Sequence, residues 1–368
     1  MRKLVCAICI LVRCFNLNAQ DSSAMDFPVK GFAIAAPTPL NLDSFIVFIN
    51  NELAPRGINT LVLRVDYNYQ YKSHPELAIP NALSAQDVQK LVIACSVKSI
   101  NIIPQINLLG HQSWAGKLSK LLEVYPQFDE TPWVKMPAQY TWPNSDSLYC
   151  KSYCPLHPGV HKIVFDLVDE ICDAFRAKAF HAGMDEVFYL GMDKCPRCGG
   201  KNKAGLFAGE VNGIRDHLAK SGRQLWIWGD RLLDGYTTGI GEWEASFNGT
   251  SPAIDMVPKD IIVCDWHYER ADKTPVIFAA KGLRVITCAW NRPETGAQQV
   301  RDMIAYRKES TSAMSSRFYG MMETIWSDVS SFFKNYYGPA INDGNEASGQ
   351  ANTFRTIFPL KNLPANSE

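Results

Sequence analysis

The sequence alternates short β-rich runs with longer segments of helical periodicity, and this alternation constrains the fold more than any other feature. Eight runs are candidate strands: Gly31 to Ala36, Thr60 to Val65, Asn101 to Ile106, Ala179 to Gly183, Gln224 to Trp228, Ile261 to Asp265, Leu283 to Ala289 and Met321 to Trp326. Between them apolar residues recur with helical spacing, as from Val160 to Phe175. Eight successive βα units predict an α/β fold of the (β/α)8 TIM-barrel type. The alternative, an open doubly wound sheet, requires an early Gly-rich phosphate-binding loop, which this sequence lacks.

The bulk composition is that of a single folded domain. No low-complexity linker or charge run divides the chain after residue 21, and 46% of its residues are hydrophobic, so we expect one domain over residues 21 to 368. Lys plus Arg and Asp plus Glu each number 37, which leaves a formal net charge of zero. Without a basic block to hold a phosphate backbone, no nucleic-acid partner is expected. The sequence does not specify an oligomeric state.

The first twenty residues have the pattern of an export signal. Arg2 and Lys3 precede an apolar run from Leu4 to Val12, and small residues near Ala19 offer a cleavage site. We therefore predict a signal peptide over residues 1 to 20 and an exported protein, periplasmic or secreted. The alternative is a buried first strand or helix. The apolar run is shorter than the roughly 20 residues of a membrane span, and no later run is long enough, so no span is expected.

Several of the eleven cysteines form a possible metal-binding pattern. Cys195 and Cys198 make a C-x2-C pair, and Cys154 with His157 offers two further ligands for a structural zinc ion. Disulfides are the alternative in an oxidising compartment, where Cys150 and Cys154 are close enough in sequence to pair. The remaining cysteines of the predicted domain lie in apolar runs and are expected to be buried: Cys95, Cys172, Cys264 and Cys288.

The fourth candidate strand runs out into two consecutive carboxylates, Asp185 and Glu186. Successive strand residues face opposite sides, so both carboxylates reach one ligand only where the strand ends and the backbone turns. In a barrel, functional groups lie on the loops that follow the strands. An Asp-Glu pair by itself is more often a solvated turn, so its position at a strand end makes it informative.

The motif around this pair resembles a known enzyme family. His181-Ala-Gly-Met-Asp185-Glu186 is similar to the His-x-Gly-Gly-Asp-Glu signature of glycoside hydrolase family 20, the β-N-acetylhexosaminidases. Ile103-Pro-Gln-Ile-Asn-Leu-Leu-Gly-His111 resembles that family's Ile-Pro-Glu-Ile-Asp-x-Pro-Gly-His strand. Cys154-Pro-Leu-His-Pro158 and Trp326-Ser-Asp328 resemble two further family segments, in the right order. Together these segments cover most of the span from residue 30 to residue 330.

The resemblance implies hydrolysis assisted by the substrate's own 2-acetamido group, acting on a glycan that ends in N-acetylhexosamine. Glu186 would be the general acid and then the base, while Asp185 would hold and polarise the acetamido group. An ionised Asp185 favours the protonated form of Glu186 by like-charge repulsion. The mechanism requires neither a cofactor nor a catalytic metal.

Other polar and aromatic residues at strand ends are candidate sugar-binding residues. Arg64 could bind sugar hydroxyls or form a structural ion pair with Asp66, and His111 could touch the site or be a structural histidine. His181 is expected to support the strand beneath the acid pair. The remaining candidates are Asn107 on the loop after the third strand, the strand-end tryptophans Trp228, Trp266, Trp290 and Trp326, and the carboxylates Asp230 and Asp328.

The departures from the family pattern leave the substrate open. Met184 replaces a Gly before the acid pair and would bring a bulky side chain to a tight place. The first strand ends at Ala35-Ala36 rather than at a sugar-binding Arg, and the Tyr that binds the acetamido group has no clear counterpart. A same-fold hydrolase for another sugar and a non-catalytic glycan-binding protein are therefore alternatives, and the gluco or galacto preference is not specified.

Overall fold

A closed barrel of eight parallel strands forms the centre of the protein. The computed structural model describes residues 27–114, 116–136, 150–338 and 346–360, so the predicted signal peptide lies outside the described residues. The strands are β1 (Val29–Ala35), β2 (Thr60–Arg64), β3 (Asn101–Leu108), β4 (Ala179–Gly183), β5 (Gln224–Trp228), β6 (Ile262–Trp266), β7 (Arg284–Ala289) and β8 (Phe318–Thr324). Each strand pairs in parallel with its neighbours in sequence, and β8 closes the barrel on β1. The predicted (β/α)8 fold is confirmed.

Helices follow the strands around the outside of the barrel. They are α1 (Leu42–Phe48), α2 (Ala85–Val97), α3 (Lys120–Val124), α4 (Val160–Ala174), α5 (Lys203–Ala219), α6 (Gly235–Thr238), α7 (Thr274–Ala280), α8 (Pro293–Glu309), α9 (Ser312–Ser315), α10 (Val329–Tyr337) and α11 (Glu346–Ile357). A π-helical turn over Ile49–Leu53 extends α1. Ser84 begins α2 with a reciprocal capping box to Asp87. In the described part of the chain, no helix is both long and apolar enough to cross a membrane.

Alternate strand residues divide the core into two layers. Inward-facing residues such as Val62, Ile103 and Met322 fill the barrel, and the intervening residues pack against the helices. Most strand ends match the predicted ones within two residues, but β8 begins three residues earlier, at Phe318, and ends at Thr324. Trp326 therefore lies beyond the last strand, where its backbone N–H donates to Gln350.

Glu323 on β8 is a buried acid in the outer layer. Met321 on the same face of the strand and Ile325 just beyond the strand end belong to the outer apolar cluster. Neither oxygen of the Glu323 carboxylate has a hydrogen-bond partner among the described residues. Burial raises the pKa of Glu323 well above its ordinary value. The folded state therefore holds the proton more tightly than the unfolded state does, and folding stability falls as pH rises above the unfolded pKa of about 4.3.

We expect Glu323→Gln to stabilise the protein above neutral pH, because the amide never has to ionise in the core. The melting temperature at pH 8 should rise by on the order of a few degrees and change little at pH 4, where the wild-type carboxyl is protonated. Thermal denaturation at both pH values measures this difference. Glu309→Gln, an exposed change at the end of α8, is the matched control. An equal shift at both pH values would contradict the assignment.

Candidate active site

The backbone leaves β4 through an unusual turn that brings the acid pair together. Gly183 and Met184 have φ values of 67° and 69°, and Glu186 has a φ of 48°, all in the left-handed region. This turn breaks the alternation of the strand, so the consecutive carboxylates face one group. Asp185 Oδ2 and Glu186 Oε2 each lie 3.1 Å from Nε2 of His111. The structure thus unites the predicted pair with a third predicted residue.

Partly exposed His111 and buried Asp185 form a charged pair. Burial opposes the imidazolium form of His111, but Asp185 and the Cys150 thiol outweigh this effect and raise the pKa of His111 well above its ordinary value. Burial likewise disfavours the charged form of Asp185, yet His111 outweighs it and lowers the pKa of that carboxyl. The backbone N–H of His111 also donates to Cys150 Sγ over 3.0 Å. The site therefore combines an anionic Asp185 and a cationic His111 beside Glu186.

Asp230 holds the backbone of the acid residue. Its Oδ2 accepts the N–H of Glu186 at 2.9 Å and Nε of Arg231 at 2.6 Å, and its Oδ1 accepts the indole N–H of Trp266 at 3.3 Å. Burial raises the pKa of Asp230 to about 6, because it outweighs the opposing effect of Arg231. Asp230 was predicted to bind sugar hydroxyls. In the structure both oxygens of this carboxylate accept hydrogen bonds from protein donors.

The four predicted tryptophans lie around one tyrosine that the sequence did not reveal. They are Trp228, Trp266, Trp290 and Trp326. The Tyr268 hydroxyl accepts the indole N–H of Trp326 at 2.9 Å, and its ring centroid lies 5.1 Å from those of Trp266 and Trp290. Trp228 packs 5.6 Å from Trp326 and is fully buried, so it forms the floor of this cluster, while Trp290 and Trp326 are partly exposed. Tyr268 follows β6 by two residues, the only sequence signal for it.

Arg64 supports this aromatic cluster from the end of β2. Its guanidinium lies 4.6 Å above the Trp326 ring, and its Nη2 donates to the backbone oxygens of Ile325 at 2.8 Å and Trp326 at 3.3 Å. Burial lowers the pKa of Arg64, although Asp66 and Asp185 oppose the shift. Arg64 thus ties β2 to the segment after β8. The Asp66 carboxylate, the predicted ion-pair partner, instead accepts the backbone N–H of Asn107 at 2.7 Å.

Two further predicted residues support the acid pair from below. His181 is fully buried, its Nδ1 accepts the N–H of Gly183 at 3.0 Å, and its ring lies 4.5 Å from that of Trp228. The predicted supporting role of His181 agrees with these contacts. The Asn107 side-chain oxygen accepts Nε2 of Gln105 at 2.9 Å and packs directly against Gly183.

We expect Gly183→Ala to damage both stability and activity. A Cβ at this position would lie 2.5 Å from Oδ1 of Asn107, in addition to the strain of a φ of +67°. Gly222→Ala is the matched control, because its φ is +66° and no atom lies within 4 Å of the added Cβ. The control should lose about 1 kcal/mol of unfolding free energy. Gly183→Ala should lose more and lower kcat by at least about tenfold; equal losses in urea unfolding and unchanged kcat would refute the role of this contact.

The structure places two further residues from the sequence analysis, Met184 and Asp328. Met184 was expected to bring a bulky side chain to a tight place, and that side chain is buried in the outer apolar cluster. The backbone of Met184 is in the left-handed region, which destabilises a non-glycine residue by roughly 1–2 kcal/mol. Asp328 was expected to bind sugar, but it is exposed and begins α10, where its carboxylate accepts the backbone N–H and the hydroxyl of Ser331.

The long loop after β3 places an exposed aromatic residue beside the acid pair. Trp114 is 60% exposed, and its ring centroid lies 6.1 Å from that of His111. Two other aromatic residues of this loop, Tyr140 and Trp142, lie outside the described residues. Trp114 is therefore placed to contact a group bound next to Glu186.

The four cysteines of the predicted metal and disulfide pairs lie at two different sites. Cys150 lies at His111, whereas Cys154 lies with Cys195 and Cys198 in a buried cluster, so the predicted alternative of a Cys150–Cys154 disulfide is wrong. His157, the predicted fourth ligand of a zinc ion, is also absent from this cluster. Its Nδ1 accepts the N–H of Gly159 at 3.1 Å instead. Glu130 occupies the fourth place.

Comparison with known proteins identifies relatives across most of the chain. The sequence model described as "Glycosyl hydrolase family 20, catalytic domain" matches residues 67–330. A Beta-hexosaminidase of Akkermansia muciniphila is 29% identical over 140 residues, which is 38% of this chain and 26% of that relative. The Flavobacterium johnsoniae chitobiase structure superposes with a TM-score of 0.63 at 18% identity, covering 91% of this chain and 48% of that one. A second structure, of a beta-N-acetylhexosaminidase, gives 0.65 at 18% identity, with coverages of 89% and 72%.

The solved structures, the curated relative and the family model support different conclusions. At 18% identity the two structures establish a shared fold. The chain spans about a quarter of the length of the curated relative and about half that of the chitobiase. The family match includes the acid pair and the strand-end tryptophans, and it begins just after Arg64 and Asp66.

Proposed function

Because the chain belongs to glycoside hydrolase family 20, we propose that it removes a terminal β-linked N-acetylhexosamine from a glycan by substrate-assisted, retaining hydrolysis. The observation that carries this proposal is the arrangement of Asp185 and Glu186 about His111, each 3.1 Å from the same nitrogen. His111 stabilises the anionic form of Asp185, which the proposed scheme needs beside the acetamido group, and it also contacts the proposed acid Glu186 directly.

In the first step the substrate supplies its own nucleophile. The carbonyl oxygen of the 2-acetamido group forms a bond to the anomeric carbon, and the bond from that carbon to the leaving oxygen breaks. Glu186 gives its proton to the leaving oxygen, so the departing group is a neutral alcohol. Asp185 accepts the N–H of the acetamido group and stabilises the positive charge that develops on it.

In the second step water opens the cyclised intermediate. Glu186, now a carboxylate, takes a proton from a water molecule. The oxygen of that water bonds to the anomeric carbon from the face that the leaving group vacated. The acetamido oxygen departs and the amide is restored. Two inversions give net retention, and no enzyme nucleophile forms a bond.

The aromatic cluster supports recognition of a sugar ring. Pyranose C–H faces pack on indole rings, and Trp290 and Trp326 are partly exposed at the end of the barrel where the acid pair lies. Tyr268 lies between them and is a candidate for the hydroxyl that binds the acetamido oxygen. Its present partner is the indole of Trp326, at 2.9 Å.

Release of p-nitrophenol from three aryl glycosides tests the proposal. The β-N-acetylglucosaminide or the β-N-acetylgalactosaminide should be hydrolysed and the β-glucoside, which lacks the acetamido group, should not. The ratio of the first two rates gives the sugar preference. Hydrolysis of the glucoside alone would support the alternative of a same-fold hydrolase for another sugar. Tight binding of an N-acetylglucosamine derivative without product would support the non-catalytic alternative.

A further inference from the structure

We propose that Glu130, Cys154, Cys195 and Cys198 bind a structural zinc ion beside the active site. This cluster, which we call the thiolate site, lies where the loop after β3 meets the loop after β4. All four residues are buried, and their four candidate ligand atoms lie within 4.8 Å of one another. The site goes beyond the proposed hydrolysis, which uses none of these residues.

The sulfur atoms lie close enough together to share one metal ion, and one of their separations matches a tetrahedral zinc site. Cys154 Sγ lies 3.2 Å from Cys198 Sγ and 3.7 Å from Cys195 Sγ. Zinc–sulfur bonds of about 2.3 Å in a tetrahedral site separate the sulfurs by about 3.8 Å. A disulfide would bring two of them to about 2.05 Å and leave the third thiol beside the buried carboxylate of Glu130. One tetrahedral cation accounts for all four side chains together.

The second, independent observation is an unsatisfied carboxylate oxygen. Glu130 is fully buried, and its Oε1 accepts the backbone N–H of Met192 at 3.1 Å. Its Oε2 has no hydrogen-bond partner among the residues that the structure describes. Burying an unpaired carboxylate destabilises the folded state. A divalent cation between this carboxylate and the thiols would supply the missing partner.

The loop around Cys195-Pro-Arg-Cys198-Gly-Gly200 is shaped for this purpose. The N–H of Cys198 points at Cys195 Sγ at 3.4 Å, and the N–H of Gly199 donates to the Cys195 carbonyl at 3.0 Å. A Cβ on Gly199 would lie 2.7 Å from the backbone oxygens of Asp193 and Cys195, so only glycine fits the turn. Backbone donors aimed at a ligating sulfur favour its thiolate form and orient it toward the metal.

The ligand chemistry favours zinc over the hard cations, and the number of protein ligands gives the ion a structural role. Thiolates are soft ligands that calcium and magnesium do not favour, and four protein ligands leave no position open for a substrate. Glu130 and Cys154 belong to one loop, while Cys195 and Cys198 follow Glu186 on the next. The ion would therefore clamp these two loops together beside the acid pair.

Metal analysis of the full chain, purified without chelators, tests the thiolate site. Elemental mass spectrometry should find about one zinc ion per chain. The variants Cys195→Ser and Cys198→Ser should lose nearly all of it. Cys95→Ser, which removes a buried cysteine of α2 that is not part of the thiolate site, should retain the zinc ion. Wild-type protein without zinc, or variants that keep one zinc ion per chain, would overturn the proposal.

A second measurement covers the case in which the serine variants fail to fold. Titration of folded wild type with a mercurial thiol reagent, in the presence of a zinc-sensitive dye, should release about one zinc ion per chain as the thiols are blocked. Glu130→Gln, which keeps the shape of the side chain, should weaken zinc retention against a competing chelator by at least about tenfold. Disulfide-linked peptides joining Cys154 to Cys195 or Cys198 in the purified protein would contradict the site, as would unchanged retention in Glu130→Gln.

Discussion

Glu186→Gln is expected to lower kcat by about 10²- to 10⁴-fold, because glutamine keeps the shape of the side chain but has no proton to give to the leaving oxygen. The fold of the turn should survive, since Asp230 holds the backbone N–H of Glu186 rather than its side chain. Leaving groups differ in their need for a proton. We therefore expect a modest loss of kcat/KM, which reports the first step, with p-nitrophenol as an acidic leaving group, and a far larger loss of kcat/KM with a sugar alcohol.

The comparison of these leaving groups gives the measurement. kcat/KM for the aryl glycoside and for an N-acetylhexosamine disaccharide should be determined for wild type, Glu186→Gln and the exposed control Glu309→Gln. The control should match wild type on both substrates. Equal losses for the two leaving groups in Glu186→Gln would assign this residue to binding or folding and remove it from acid catalysis.

Asp185→Asn is expected to lower kcat by about 10²- to 10³-fold, because the amide cannot stabilise the positive charge that develops on the participating acetamido group. The same change removes the anion that holds His111 in its charged form, so the pKa of His111 should fall. Steady-state kinetics measures the first effect, and NMR titration of the histidine ring measures the second. An unchanged kcat would rule out the substrate-assisted scheme.

The pair also makes stability depend on pH in a defined way. The lowered pKa of Asp185 gives stability that is present above its unfolded pKa of about 3.9 and is lost as pH falls through the folded value. The raised pKa of His111 gives stability that is complete below about 6.5 and is lost as pH rises through its folded value. Asp185→Asn should flatten both limbs of this profile. Asp328→Asn is the matched control for kcat, because asparagine begins a helix as well as aspartate does. Burial opposes the shift, but the hydrogen bonds from Ser331 lower the pKa of Asp328, so this change should alter the acid limb of the profile and leave the His111 limb unchanged.

The sequence predicts the barrel and the position of the Asp185-Glu186 pair at a strand end because both depend on local patterns. Strand and helix periodicities identify the eight βα units, and the Asp185-Glu186 pair stands where a strand ends. The inward-facing positions at strand ends also bring the predicted Trp228 and Trp266 together. These features require only the chain direction and the pleat of the strand.

The hydrogen-bond or metal-site partner of a side chain depends on the tertiary structure, so the sequence alone does not predict it. Asp230 follows a strand as a sugar ligand would, but a neighbouring Arg231 and the N–H of Glu186 use its oxygens. His157 has good spacing for a zinc ligand, yet Glu130, distant in sequence, faces the cysteines instead. Asp328 caps its own helix, a local competitor for the carboxylate that a strand-end motif does not reveal.

The most direct test of the central claim is the hydrolysis rate of p-nitrophenyl β-N-acetylglucosaminides, or the matching galactosaminides, whose acetyl group carries zero to three fluorine atoms. Fluorine withdraws electrons from the amide oxygen and weakens it as a nucleophile, while the leaving group and the sugar ring stay the same. The account predicts that kcat/KM falls steeply with each added fluorine, because that oxygen attacks the anomeric carbon. A rate that is independent of fluorine content would contradict participation by the substrate and, with it, the proposed roles of Asp185 and Glu186.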